Sequence, residues 1–199
     1  SITNGSQTLT VSFPNHVLKV IDEVLFFNGA SNNPIESFNL NTNFFPLFHI
    51  LASNLSATAT TVTLDGTTLC ANTGFFFIQS ATTPATGVAD YVPVIQREVI
   101  KYSAKSGAQN LTGLTRGTNA LFRGETASST TATAHTSGAN VFPSLKIQTI
   151  TTRTENTGAM PATKTINTGF TVTLPYNAVG TITGGGNNAF VSPMLRGIK

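Results

Sequence analysis

Residues 98–103 read Glu-Val-Ile-Lys-Tyr-Ser, 111–117 read Leu-Thr-Gly-Leu-Thr-Arg-Gly, and 131–141 read Thr-Ala-Thr-Ala-His-Thr-Ser-Gly-Ala-Asn-Val. The first stretch alternates with period two, so Glu98, Ile100 and Tyr102 share one face of an extended strand and Val99 takes the other. Lys105-Ser106-Gly107 is a turn signal, and Leu111 to Gly117 returns as a second short strand, which makes the pair a hairpin. The third stretch carries His135 and Gly138 into another extended run. Three strands of one small sheet would then bring Glu98, Arg116 and His135 together, near Tyr102. Such a cluster is either a catalytic or binding site or a hydrogen-bonded network that pins strand register. Buried ionic groups have that second use, and it is the preferred reading here. Gly113, Gly117 and Gly138 are the expected turn glycines.

Working outward, period-two patterns recur with turn residues between them. Leu9, Val11 and Phe13 alternate with Thr8, Thr10 and Ser12, and Val24 to Phe27 is a continuously apolar strand. Residues 37–50 supply further strands, with Phe44, Phe45, Leu47, Phe48 and Ile50 expected in the core. After a Ser/Thr/Ala/Asn link at 53–59, Val62 and Leu64 resume the alternation and residues 75–78 form an apolar strand. Asp65-Gly66 is a hairpin cue, but 67–73 does not read as a return strand. Residues 146–154 and 163–174 are two more strands, broken apart at Gly158-Ala159-Met160-Pro161. No apolar set recurs at the helical period for more than about two turns. The fold expected is all-β: small β-barrel or sandwich modules in series, with almost no helix. Three units are anticipated: an N-terminal β-unit over 1–52, a central β-module over 53–143, and a C-terminal β-hairpin and extended tail over 144–199. Phe190, Val191, Met194 and Leu195 would give that tail its apolar grip on a neighbouring subunit.

Composition narrows the function. The chain has 199 residues, of which only 10% are charged, against 34 threonines and 18 asparagines. The usual charged share is near a quarter, so this surface is neutral, β-prone and hydrogen-bonding, as expected of a chain covered by neighbours. The net charge of +3 comes from basic residues scattered between Lys19 and Lys199 with no basic patch, which argues against a nucleic-acid partner. The most apolar run, 44–52, contains Pro46 and His49 and is too short to span a bilayer, so no membrane partner is expected. Cys70 stands alone, excluding an intramolecular disulfide and multi-cysteine metal motifs, and reads as a small buried hydrophobe. His16, His49 and His135 are far apart and show no ligand spacing, so no metal is assigned. Gly184-Gly185-Gly186 lacks the Lys and Ser/Thr of a phosphate-binding loop. No cofactor and no catalytic residue are assigned.

The central stretch resembles a small β-module found in structural proteins of tailed bacteriophages, those of marine cyanobacteria among them. That module has an E-x-I-x-Y-S/T strand, an L-T/S-G-V/L-x-R-G hairpin and a T-x-A-x-x-H-x-x-G-x-x-V closing strand. Glu98, Ile100, Tyr102, Ser103, Leu111, Gly113, Leu114, Arg116, Gly117, Thr131, Ala132, Ala134, His135, Gly138 and Val141 match it. Residues 119–129 intervene where the module runs on almost directly. A second likeness, Pro-x-His followed by G-L-x-V-G-D-x-V, is met by Pro14, His16, Leu18, Val20, Asp22 and Val24. Val17 and Ile21 stand there at positions usually glycine, which puts the construction of that turn in question.

The resemblance implies a virion part, with the tail, baseplate or fibre favoured over a neck or capsid-decoration role, assembled in the host bacterial cytoplasm. Its partners would be other copies of itself and other virion proteins, in a homo-oligomer. The alternative is a carbohydrate-binding module for a host-surface glycan. Aromatic stacking would be its basis, yet the chain has no Trp and only Tyr91, Tyr102 and Tyr176, while its 14 Phe suit a core. An enzyme ranks third.

Overall fold

The structure is a computed structural model that describes residues 1–28, 37–40, 43–81, 95–120, 128–129, 131–158, 163–174, 177–178, 181 and 189–194. Among these residues there are sixteen strands and no helix, so the chain is all-β. In chain order the first eight are β1 (Thr8–Ser12), β2 (Glu23–Asn28), β3 (Ser37–Leu40), β4 (Asn43–Pro46), β5 (His49–Ile50), β6 (Thr61–Thr63), β7 (Gly74–Ala81) and β8 (Ile95–Tyr102). Next come β9 (Ala104–Ser106), β10 (Asn110–Thr112), β11 (Asn119–Ala120), β12 (Ser128–Ser129) and β13 (Asn140–Pro143). β14 (Leu145–Asn156), β15 (Thr163–Thr173) and β16 (Ala189–Met194) complete the set.

These strands form a five-stranded sheet β1-β15-β14-β2-β16, a four-stranded sheet β5-β13-β7-β8, a three-stranded sheet β6-β10-β9, and the hairpins β3-β4 and β11-β12. The first and third units expected from the sequence are therefore one sheet in space. Leu9 faces Val172 and Val11 faces Phe170 across β1 and β15, and β2 pairs with both β14 and β16. Two short strands cannot bury an apolar face alone, so the N-terminal pair completes the sheet that the C-terminal hairpin begins. Its core holds Ile2, Leu9, Val24, Ile147, Phe170, Val172 and Leu174.

The four-stranded sheet is covered on both faces, which is why Phe75-Phe76-Phe77-Ile78 is unbroken apolar sequence. Phe76 and Ile78 join Ile100, Tyr102, Leu111 and Val141 against the small three-stranded sheet. Phe75 and Phe77 turn the other way, onto Val99, Phe142 and Leu25. The alternation read from residues 98–102 is thus realised, with Val99 in a different cluster from Ile100 and Tyr102.

Several expectations need correction. Ile50 is 40% exposed, while its neighbour His49 is buried, because the one-residue alternation turns the imidazole inward to polar partners. Residues 189–194 are not a free tail: β16 pairs along the whole of β2, Phe190 opposite Phe27 and Val191 opposite Phe26. Pro193 is tolerated there because β16 is an edge. Leu195, Gly184–Gly186, Tyr91 and Tyr176 lie outside the described residues, as do the side chains of Phe44, Phe45, Phe190, Val191 and Met194. No hairpin follows Asp65-Gly66; the carboxylate instead accepts from Ile50 N at 3.1 Å and from His49 at 2.9 Å.

Ile21 sits at φ 72°, in the left-handed region. Its N–H donates to Ile147 O at 2.9 Å and Asp22 Oδ2 accepts from Lys19 N at 2.8 Å, so hydrogen bonds hold a β-branched residue where glycine would be unstrained. Val17 shows no such backbone. Val17, Val20 and Ile21 are 79%, 47% and 59% exposed, an apolar loop beside the start of β14.

Candidate functional site

Glu98, 0% exposed on β8, is the centre of the network. Its Oε1 accepts from Arg116 Nε at 2.8 Å and from Gly117 N at 2.8 Å. Its Oε2 accepts from Arg116 Nη2 at 2.7 Å, Thr133 N at 3.2 Å and His135 Nε2 at 3.1 Å. Arg116 also donates to Thr133 O, at 2.7 Å, and to Ser56 O. Five donors converge on one carboxylate, two of them from a bidentate guanidinium. Burial alone would drive this carboxyl upward; the hydrogen bonds from His135, Arg116, Gly117 and Thr133 outweigh it and hold the group at about 2.

The cluster predicted from the sequence does meet, though its members come from unlike elements rather than from three strands of one sheet. Glu98 is on a regular strand. Arg116 follows the isolated bridge between Lys101 and Thr115, and His135 forms an isolated bridge with Leu55. The sequence shows turn glycines at 113, 117 and 138, and all three have φ between 59° and 88°. At Gly113 the requirement is also steric, since a Cβ would lie 1.9 Å from Ser103 Oγ. Tyr102 stands apart from the network; its hydroxyl donates to Ala71 O at 3.0 Å, and burial pushes its ionisation upward.

Ser80, which the sequence reading missed, extends the network, with Oγ 2.8 Å from His135 Nδ1. Ser80, His135 and Glu98 thus form a hydroxyl–imidazole–carboxylate chain. Ser80 and His135 border a cleft of about 490 Å³ whose other walls include Asn54, Ser56, Gln96 and Thr136. The order is that of a nucleophilic triad, with a different electrostatic setting for the carboxylate. A triad carboxylate stabilises the imidazolium formed during reaction; here Arg116 already neutralises it with two hydrogen bonds. The chain holds the imidazole between Ser80 Oγ and the Glu98 carboxylate. Ser80 escaped the sequence reading because its strand, β7, meets His135 only through tertiary contact.

The other two histidines are equally occupied. His16 Nε2 donates to Gly169 O at 3.0 Å and Nδ1 accepts from Leu18 N at 3.1 Å. His49 Nδ1 donates to Asp65 at 2.9 Å and Nε2 accepts from Leu69 N at 3.1 Å. Burial lowers the His49 pKa more than Asp65 raises it, which matches an Nε2 used as an acceptor. Cys70 is buried and its thiol is pushed up to about 12 by burial. Among the described residues no three His, Cys, Asp or Glu side chains gather as metal ligands.

A second buried carboxylate was not anticipated. Glu23 Oε2, at the start of β2, accepts from Ser144 Oγ at 2.6 Å and from Phe75 N at 3.0 Å. It ties the five-stranded sheet to the four-stranded one, where β7 begins and β13 ends. The only sequence signal is an acid next to a continuously apolar strand. Compared with models of protein families, with characterised proteins and with solved structures, the chain matches none.

Proposed function

We propose that this chain is a non-enzymatic building block of a tailed-phage virion, in the tail, baseplate or fibre, packing against copies of itself and other virion proteins. The observation that carries the reading is the closure of the Glu98 network: its carboxylate, guanidinium and imidazole spend their hydrogen bonds on one another and on nearby backbone. Residues that the phage module has in common with this chain, Glu98, Arg116, Gly117 and His135, are therefore those that lock hairpin and closing segment together. Fixing register in this way is one use of buried ionic groups. A glycan-binding alternative draws less support: Tyr102 is buried, and among the described residues the cleft beside Ser80 is lined by no Phe, Tyr or Trp that could stack on a sugar. Immunogold labelling of tailed particles with antibody to this chain tests the proposal. Label confined to one part of the particle is the expected result, which also separates tail from neck and capsid. Recovery of the chain only in the particle-free fraction would refute it.

A further inference from the structure

The β14-β15 hairpin outruns its neighbours. β2 covers β14 only at Leu145 and Lys146, with Asp22 O accepting from Ile147 N just beyond. On the far side β1 covers β15 only from Gly169 to Thr173. From Thr152 to Asn156, paired with Asn167 back to Thr163, the ladder has two strands, and nothing among the described residues pairs with the outer edge of β14. Thr151 to Thr154 and Asn156 are exposed. A two-stranded ribbon is marginal in water, and an open edge of unpaired N–H and C=O groups is a template for another strand. This edge lacks the proline and inward lysines that natural edges use as protection.

We propose that this edge pairs with the same edge of a second copy of the chain, antiparallel about a two-fold axis at Thr154. The charges select both the partner and the register. A two-fold contact sets residue 153 opposite residue 155 of the other copy, so each Arg153 meets a Glu155 twice over. Within one chain Arg153 already donates to Glu155, and both are largely exposed; the pairing exchanges this solvent-weakened contact for a four-charge cluster between strands. Thr152 then faces Asn156, and Thr154 faces itself. The residues matched are the five that run in unbroken register, between the irregularity at Thr151/Thr152 and the strand's end. The pairing goes beyond the building-block reading and does not depend on it.

Sedimentation velocity over a concentration series tests the pairing. The chain should dimerise, and R153E and E155R should each weaken the dimer about tenfold, since each sets like charges opposite one another twice. Mixing R153E with E155R should restore association, as a heterodimer, because the acidic edge then faces the basic one. Cysteines report the register: T154C should cross-link on mild oxidation, because directly opposite Cα atoms lie within disulfide reach, whereas T152C should not. The buried, weakly acidic Cys70 gives no background. A monomer up to the solubility limit, a dimer indifferent to R153E, or equal cross-linking of T152C and T154C would overturn the pairing. Particle labelling would stand unaffected by any of these results.

Discussion

Replacing Glu98 with Gln keeps the shape of the side chain and removes its charge, and the cost follows from the five donors around it. An amide has one oxygen and one NH2 group. With its nitrogen at the Oε1 position, the amide opposes Arg116 Nε and Gly117 N; at the Oε2 position it opposes Arg116 Nη2, Thr133 N and His135 Nε2. Two donors are lost in the first orientation and three in the second, and the guanidinium, whose side chain is 8% exposed, is left without its counter-charge. Breaking a buried pair from one side costs about 3–5 kcal/mol. The acidity gives a second route: a carboxyl held at about 2 instead of 4.5 is worth roughly 3 kcal/mol at about 1.4 kcal/mol per tenfold. In urea, with m at about 2–3 kcal/mol/M, the midpoint followed by circular dichroism should fall by about 1–2 M. The folded value lies below the unfolded one, so the folded state binds fewer protons between them. This stabilisation is complete above pH ~5 and is lost as pH falls toward 2. The difference between the two proteins should therefore shrink through that window. A midpoint change under about 0.3 M, or a difference independent of pH down to 2, would refute the account of the network.

Three further outcomes follow. Ser80 should not react with a fluorophosphonate probe under conditions that label a serine hydrolase, because Arg116 has already neutralised the carboxylate behind His135; covalent labelling read by mass spectrometry would reverse this reading. Gly169→Ala should cost more than about 2 kcal/mol in urea, since the new Cβ would lie 2.1 Å from the Val11 carbonyl and push β1 off β15; Gly107→Ala, with open space around it, should cost only about 1 kcal/mol for its positive φ. Ile21→Gly should stabilise the fold by about 0.5–1 kcal/mol by releasing a strained left-handed isoleucine whose side chain is largely exposed, and an unchanged or lower midpoint would count against strain at that turn.

Most strands were legible because period-two alternation and turn residues are local signals; β9, inside a stretch that reads as a turn, and the short β11-β12 pair, inside the stretch that interrupts the module, were not. β1, β8 and β15 fall where the alternation of Leu9 and Val11, of Glu98 to Tyr102 and of Ile166 to Val172 places them, whereas Ile147 and Ile150 of β14, three residues apart, reach one core through the register shift between Ile147 and Thr149. The network was legible in its members but not its construction. Glu98, Arg116 and His135 are rare residues in a charge-poor chain, whereas Ser80 is one small polar residue among many and Glu23 lies far in sequence from Phe75 and Ser144. The error at Ile50 has the same origin, since apolar character alone does not say which of two neighbours faces inward when a histidine has buried partners.

By itself the sequence determined an all-β chain, the positions of its longer strands, the three turn glycines and the inert setting of Cys70, since each depends on a residue and its near neighbours. Only the tertiary structure decided that the N-terminal strands complete the C-terminal sheet, that 189–194 closes on β2, that Glu98 is saturated by five donors, and that β14 runs past its neighbours to leave an edge open. Each of these depends on which distant strands pair. Pairing is governed by how much apolar face a partner can bury and how many backbone groups it can satisfy, quantities that no local pattern contains.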